Sequence, residues 1–504
     1  MIWTIAKKDF LLNLMTFKFA VGVILCIVLM AVFMPVLVKD YQQRLKEYNE
    51  NVAANEAKLH NVKVYFGIFY IGPNIYRPPA MLSVFSKGIE GHLDDSARIG
   101  PRNVPEINAR LIAVNPYLSI LPVWDVSLAF KIVVSALAFL VACDVISGER
   151  ERETLKLMLS GTVTRSHVLL GKLLAGLMIL LVPLTIAFLV GLLILASSSM
   201  VDLTRSDWAH IGLMYLVSLI FISTICNIGL FVSCLTKRSA ISLMLGLFFW
   251  IVFITVVPNV SVHLARRIRP LEREDAVEER IRLVEQEKKS KVEEIPWAGQ
   301  EVQSEGYSQW FILVCNKERM DCRQKRYTMN IPVDMKYANK LWEVKHRHLG
   351  DLLKQKELAD NLSRISPVFL YENVMSALAG TDTASYQYFM ARARAYRNEV
   401  IDYVRSKTDN FSSPLYFTQC TEADIAVYQE YLDGKMSEEA FQEWKKKKIT
   451  QVLPLDLLDF PQFIYKHDAV KSLNRAIPDL LLLIFANVLF FALSFLTFVK
   501  YDVR

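Results

Sequence analysis

The side chains able to do metal, redox or group-transfer chemistry are few and scattered. His346-Arg347-His348 is the tightest histidine cluster. Alternate residues on a helix diverge by about 200°, a poor geometry for joint chelation. Four of the seven cysteines, Cys26, Cys143, Cys226 and Cys234, lie in apolar runs and read as packing residues. Cys315, Cys322 and Cys420 lie in polar sequence. Two of them can pair if that region is extracytoplasmic, and their spacing leaves open which two. No G-x-x-x-x-G-K-[ST] loop is present, and Gly171-Lys172 runs on into leucine inside an apolar segment. HExxH, paired CxxC and G-x-S-x-G are missing as well. The expectation is a chain that is not an enzyme and holds no metal or cofactor of its own.

The stretch with the most unusual chemistry is DVISGERERETLKLMLSGTVTRSHVLLGK, residues 144–172. It sets Glu149-Arg150-Glu151-Arg152-Glu153 between two strongly apolar segments. Read as one helix, it forms (i, i+3) pairs of Glu149 with Arg152 and of Glu153 with Lys156. Leu155, Met158 and Leu159 make a narrow apolar stripe on that helix. Gly161 permits a turn, and Thr162 or Thr164 can cap the segment that follows. The expected element is a short amphipathic helix with a charged head suited to docking on a partner.

The flanking elements belong to a membrane protein. The chain is 53% hydrophobic over 504 residues, with net charge +7 and a mean hydropathy of +0.27. No basic patch interleaved with aromatics points to nucleic acid. A spanning helix needs roughly 20 mostly apolar residues. Six segments qualify: 19–38, 124–146, 167–197, 209–235, 239–258 and 477–499. Pro183 is expected to kink the third. The first run is too long for a signal-peptide core and reads as retained. Residues 1–18 mix Trp3, Phe10, Leu11, Leu14 and Met15 with Lys7, Lys8 and Lys18, as an interfacial helix or a plain basic flank does. Asp125 and Asp144 fall near the ends of the second span, and Lys131 lies deeper with a stem long enough to snorkel outward. Without acids at mid-depth in several spans, an ion-coupled carrier is disfavoured.

Lysine and arginine cluster before the first span, between the second and third, in the turn at Lys237-Arg238, and after the last span. The positive-inside rule then puts both termini and residues 147–166 in the cytoplasm. Residues 39–123 and 259–476 are left as extracytoplasmic regions. The first opens with a charged helical stretch, DYQQRLKEYNENVAANEAKLH. The second is mainly helical, large enough to be a domain. The fold class is therefore mainly α: a polytopic membrane protein with six transmembrane helices, a large extracytoplasmic helical domain and a tail at 500–504.

Residues 144–172 resemble the coupling region of ABC-2 type permeases, in the branch with large extracytoplasmic insertions often described near copper-enzyme maturation. The residues carrying the resemblance are Asp144, Gly148-Glu149-Arg150-Glu151-Arg152, Thr154-Leu155, Leu159, Val163, Arg165 and Gly171-Lys172. Residues 77–90, RPPAMLSVFSKGIE, and 365–382, ISPVFLYENVMSALAGTD, are similar to the same branch. The family usually has glycine where Glu153 stands and often proline where Thr162 stands. The resemblance implies a permease subunit of an ATP-driven exporter in a bacterial inner membrane. Its implied partners are a separate ATPase subunit that binds ATP and Mg, a second permease subunit, membrane lipids, and a periplasmic or surface protein. Gly148, Glu149, Arg150, Glu151, Arg152, Thr154, Leu155, Met158 and Leu159 are the implied ATPase contacts, with the three apolar residues as the packed part. A membrane scaffold whose external domain binds an assembly, without transport, is the alternative.

Overall fold

The structure is a computed structural model. It describes residues 1–14, 17–90, 95–105, 125–160, 164–198, 203–295, 304, 306–308, 311–466 and 468–500. Among these, six helices are long and apolar enough to cross a membrane: Phe19–His60, Val126–Glu151, Arg165–Ala196, Arg205–Leu235, Ser239–Ile268 and Ala469–Val499. They begin and end within about five residues of the expected spans, except that the sixth starts eight residues early, at Ala469, and two others run on. The helix from Phe17 runs 44 residues to His60, about 66 Å at 1.5 Å per residue, against a hydrocarbon core of about 30 Å. The fifth continues to Ile268. In both, the apolar run is followed by a more polar continuation, strongly charged in the first and carrying Arg266 and Arg267 in the last turn of the fifth. The third span runs as one helix through Pro183, whose missing N–H its neighbours in the bundle can tolerate.

The bundle has two ends. The near end carries the N-terminal helix Ile2–Leu14 and residues 144–172. The far end carries the described residues between the first and second spans and most of those between the fifth and sixth. Those two regions, expected as separate loops, share one hydrophobic core. Val62, Ile68, Ile75 and Ile99 from the first pack with Ile331, Phe389, Tyr396, Val400 and Phe417 from the second. The principal helices there are Glu274–Glu293, Lys317–Ser363 and Thr383–Lys407. Lys317–Ser363 is anchored at its start by Asn316, whose side chain accepts from the Arg319 amide. Two short antiparallel pairs, Asn74–Tyr76 with Ser96–Arg98 and Gly306–Ser308 with Phe311–Leu313, complete the domain.

One helix breaks the division between domain and bundle. Pro367–Ala379 has ten of its 13 residues buried and belongs to the same core cluster as the spans. Its Tyr371 ring stacks on Phe221 of the fourth span at 4.4 Å, and its hydroxyl meets Ser218 Oγ at 3.2 Å. Ser366 Oγ donates to the Phe253 carbonyl of the fifth span at 2.7 Å. Residues 259–476 are thus not wholly apart from the membrane bundle, because a helix this apolar is buried more favourably among the spans than on a surface.

Candidate functional site

Residues 144–160 fold as two short helices, Ser147–Glu151 and Thr154–Leu159, rather than one. The break falls at Glu153, in the left-handed conformation at φ 61 and ψ 3. Few side chains adopt that region without cost, and glycine does so freely. The upstream junction with the second span is also a turn, at residues 143–146. There the Ile146 and Ser147 amides both donate to Ser233 Oγ of the fourth span at 3.0 Å. The expected pairs Glu149–Arg152 and Glu153–Lys156 do not form, since the break at Glu153 changes the register. Gly161, Thr162 and Val163 lie outside the described residues. Thr164 starts the third span without a side-chain cap and shares a 2.7 Å hydrogen bond with His167 Nδ1 instead.

Three consecutive charges of the stretch bond to their own bundle, Glu149 and Arg150 half-buried and Glu151 still exposed. Glu149 Oε1 accepts from Lys172 Nζ at 2.6 Å, and the same ammonium reaches Asp9 of Ile2–Leu14 at 3.0 Å. Arg150 Nη1 donates to the Thr236 carbonyl at the C-terminus of the fourth span at 3.0 Å. Glu151 Oε2 accepts from the Ser239 amide at the N-terminus of the fifth at 3.0 Å. Cation and anion thus each meet the helix end whose dipole they complement. Gly171 lets Ile2–Leu14 approach the third span: a Cβ there would lie 2.9 Å from Ile5 and 3.2 Å from the Ile2 carbonyl. Leu155 is fully buried with Ile146, Val168, Leu169, Leu230 and Phe498, and Met158 and Leu159 pack partly against them. The apolar stripe therefore seals the segment onto its own bundle. Arg152, Glu153, Thr154, Lys156 and Leu157 are exposed, Leu157 at 76%, and Gly148 is half-buried.

A charged turn is thereby bolted to four spans and an N-terminal helix, with a second charged face left outward. Over residues 3–503 the sequence matches the family described as ABC-2 family transporter protein. The chain belongs to that family. No curated protein matches it. The protein is accordingly a multi-pass membrane protein and a permease component of an ABC transporter.

At the far end of this ABC-2 permease, the two other stretches singled out in the sequence meet each other. Arg77 Nη2 donates to the Gly380 carbonyl at 2.8 Å, the Ile89 amide to the Thr381 carbonyl at 3.1 Å, and Thr381 Oγ1 to the Ser86 carbonyl at 3.0 Å. Gly88, at φ 49, makes the closest approach, and a Cβ on it would lie 2.6 Å from the Thr381 carbonyl. Arg77 also lies 4.0 Å over the Tyr386 ring. Glu90, 1% exposed, accepts from Arg44 Nη1 and from the Ala80 amide, both at 3.0 Å. Burial pushes its carboxyl up, against the pull of Arg77 and Arg44.

The Lys131 ammonium ends 2.6 Å from Glu372 on Pro367–Ala379. The same helix is tied to the sixth span through Asp479, which accepts from Arg364 Nε and from Asn373 Nδ2, both at 2.6 Å. Arg475 Nε reaches Asp382 at 2.8 Å. Sequence reasoning passed over Asp9, Glu372 and Asp479. An acid inside the final apolar run was the available signal for Asp479. The other two carry none, since their partners are more than 160 residues away. His346 stacks on Trp342, with ring centroids 4.5 Å apart.

Proposed function

We propose that this permease couples ATP hydrolysis by a separate ATPase subunit to export of its substrate, and that residues 147–159 are the contact through which the two subunits communicate. The near end, with both termini, then faces the cytoplasm of a bacterial cell and the far-end domain lies outside the inner membrane. The bias of lysine and arginine toward the near-end loops supports this orientation. A second permease subunit completes the pathway.

The observation that carries the reading is the division of labour within the stretch. Glu149, Arg150 and the buried Leu155, with the exposed Glu151, mount it on the third, fourth, fifth and sixth spans and on Ile2–Leu14. Outward residues Arg152, Glu153, Thr154, Lys156 and Leu157 are left for a partner. Force on that outer face is passed to several spans at once through short polar links. At the far end, the movement reaches Pro367–Ala379, which is pinned to the second, fourth, fifth and sixth spans. Gly148, Met158 and Leu159 shape the mounting rather than the contact.

The test is isolation of tagged protein from mild-detergent membranes, with mass spectrometry of what accompanies it. Wild type should carry a stoichiometric ATPase subunit. Arg152→Glu combined with Leu157→Asp should lose it while keeping the wild-type melting temperature, because neither side chain is packed. Retention of the ATPase by that variant would overturn the contact assignment. An intact wild-type chain with no ATPase would overturn the coupling reading altogether.

A further inference from the structure

Four cysteines are dispersed among the spans, but two of the remaining three meet in the far-end domain. Cys315 directly follows Leu313 and Val314, and all three are fully buried. It sits two residues before the helix Lys317–Ser363. Cys420 precedes Thr421, the N-cap of Glu422–Leu432. The two Sγ atoms stand 3.2 Å apart, across 105 residues of chain. A disulfide requires about 2.05 Å between sulfurs. Both thiols lie in one small core with Val64, Tyr428, Phe441 and Val452.

The two differ in exposure. Cys420 is half-buried, whereas Cys315 is sealed. The hydrogen bond from the Cys315 thiol lowers the Cys420 thiol below its ordinary value, against the opposing effect of burial and with help from the Thr418 hydroxyl and the Val314 amide. Cys322, on Lys317–Ser363, has no thiol partner among the described residues.

We infer that Cys315 and Cys420 form a disulfide in the assembled permease, with Cys420 as the thiol that reacts first. The inference rests on the far-end domain lying in an oxidising compartment. The Cys420 thiolate attacks the disulfide of a thiol oxidase, breaking the donor's S–S bond and releasing one donor thiolate. The Cys315 thiolate then attacks the Cys420 sulfur of the mixed disulfide and releases the second donor thiolate. The donor gains the two electrons and two protons that the cysteine pair gives up. The bond ties the start of the long helix to Glu422–Leu432 and leaves Cys322 reduced.

The full-length protein is alkylated in intact cells before lysis, purified with its membrane, and digested without reductant. A linked peptide containing Cys315 and Cys420, lighter than the two free peptides by two hydrogens, is the expected result, with Cys322 alkylated. In Cys315→Ala, Cys420 should become alkylated without reduction. Free, alkylated Cys315 and Cys420 in the wild type would overturn the pairing, as would a Cys420 that stays blocked in Cys315→Ala. Orientation is read separately from Glu443→Cys, an exposed position in the same domain, with a membrane-impermeant maleimide. Labelling from outside alongside free Cys315 and Cys420 removes the disulfide and leaves the topology standing. Labelling only after lysis removes the topology, and the disulfide with it.

Discussion

Lys172→Met probes the near-end joint directly. Lys172 is 3% exposed, and its ammonium is shared by Glu149 at 2.6 Å and Asp9 at 3.0 Å. Removing one partner of a buried ion cluster costs about 3–5 kcal/mol, because the remaining charges stay buried without compensation. Here the acids are 18% and 24% exposed, so water relieves part of that cost, and about 3 kcal/mol is the working figure. Each 1.4 kcal/mol is tenfold, so the local opening equilibrium should shift roughly 100-fold. Amide hydrogen exchange in detergent or nanodiscs reads this. Exchange should rise by that factor in Ile2–Leu14 and in residues 147–159, and stay unchanged in Thr383–Lys407. Adding Asp9→Asn and Glu149→Gln to the variant removes the orphaned charges and should restore most of the protection. Wild-type exchange in both near-end segments of Lys172→Met would refute the joint. So would equal loosening of the far-end domain, since that would mean global destabilisation.

Gly88→Ala should destabilise the far end by about 2–4 kcal/mol, combining left-handed strain with the 2.6 Å approach to the Thr381 carbonyl. It shows as faster exchange in residues 77–90 and 365–382 together. Glu153→Val should cost about 1–2 kcal/mol, because a β-branched side chain tolerates a φ near 61 poorly. Glu153→Gly should remain within about 0.5 kcal/mol of wild type, as relief of strain is offset by chain entropy. Thermal unfolding of the pair separates them. Acidification should loosen Glu422–Leu432. Burial raises the Asp424 carboxyl, but Lys448 at 2.6 Å and the Thr421 amide and hydroxyl together hold it below the ordinary 3.8. The folded domain thus binds that proton less readily than the unfolded chain. The stabilisation is fully present above about pH 3.8 and is lost as pH falls further. Proteolysis or exchange against pH, with Asp424→Asn lacking the dependence, measures it.

Length and hydropathy alone determined the six spans of this permease. A bilayer leaves the backbone of a spanning segment no partner but itself, so each long apolar run must be helical. Helical periodicity likewise marked residues 259–476 as mainly helical, and the unusual chemistry of residues 144–172 marked the near-end turn. Which way that turn faces was decided by tertiary structure. Glu149 looks like a solvent charge until Lys172 and Asp9 arrive beside it from other helices. Leu155 looks like a docking residue until Leu230 and Phe498 close over it. Residues 77–90 and 365–382 stood out separately, but only the fold joins them through Gly88 and Thr381. Proximity of Cys315 to Cys420 rather than to Cys322, and insertion of Pro367–Ala379 among the spans, were equally hidden. The physical reason is common to all of these. Local sequence sets backbone conformation through nearest neighbours and solvent. The partner of a buried charge, thiol or apolar face is set by contacts from 23 to more than 300 residues distant, on other elements, which no local pattern encodes.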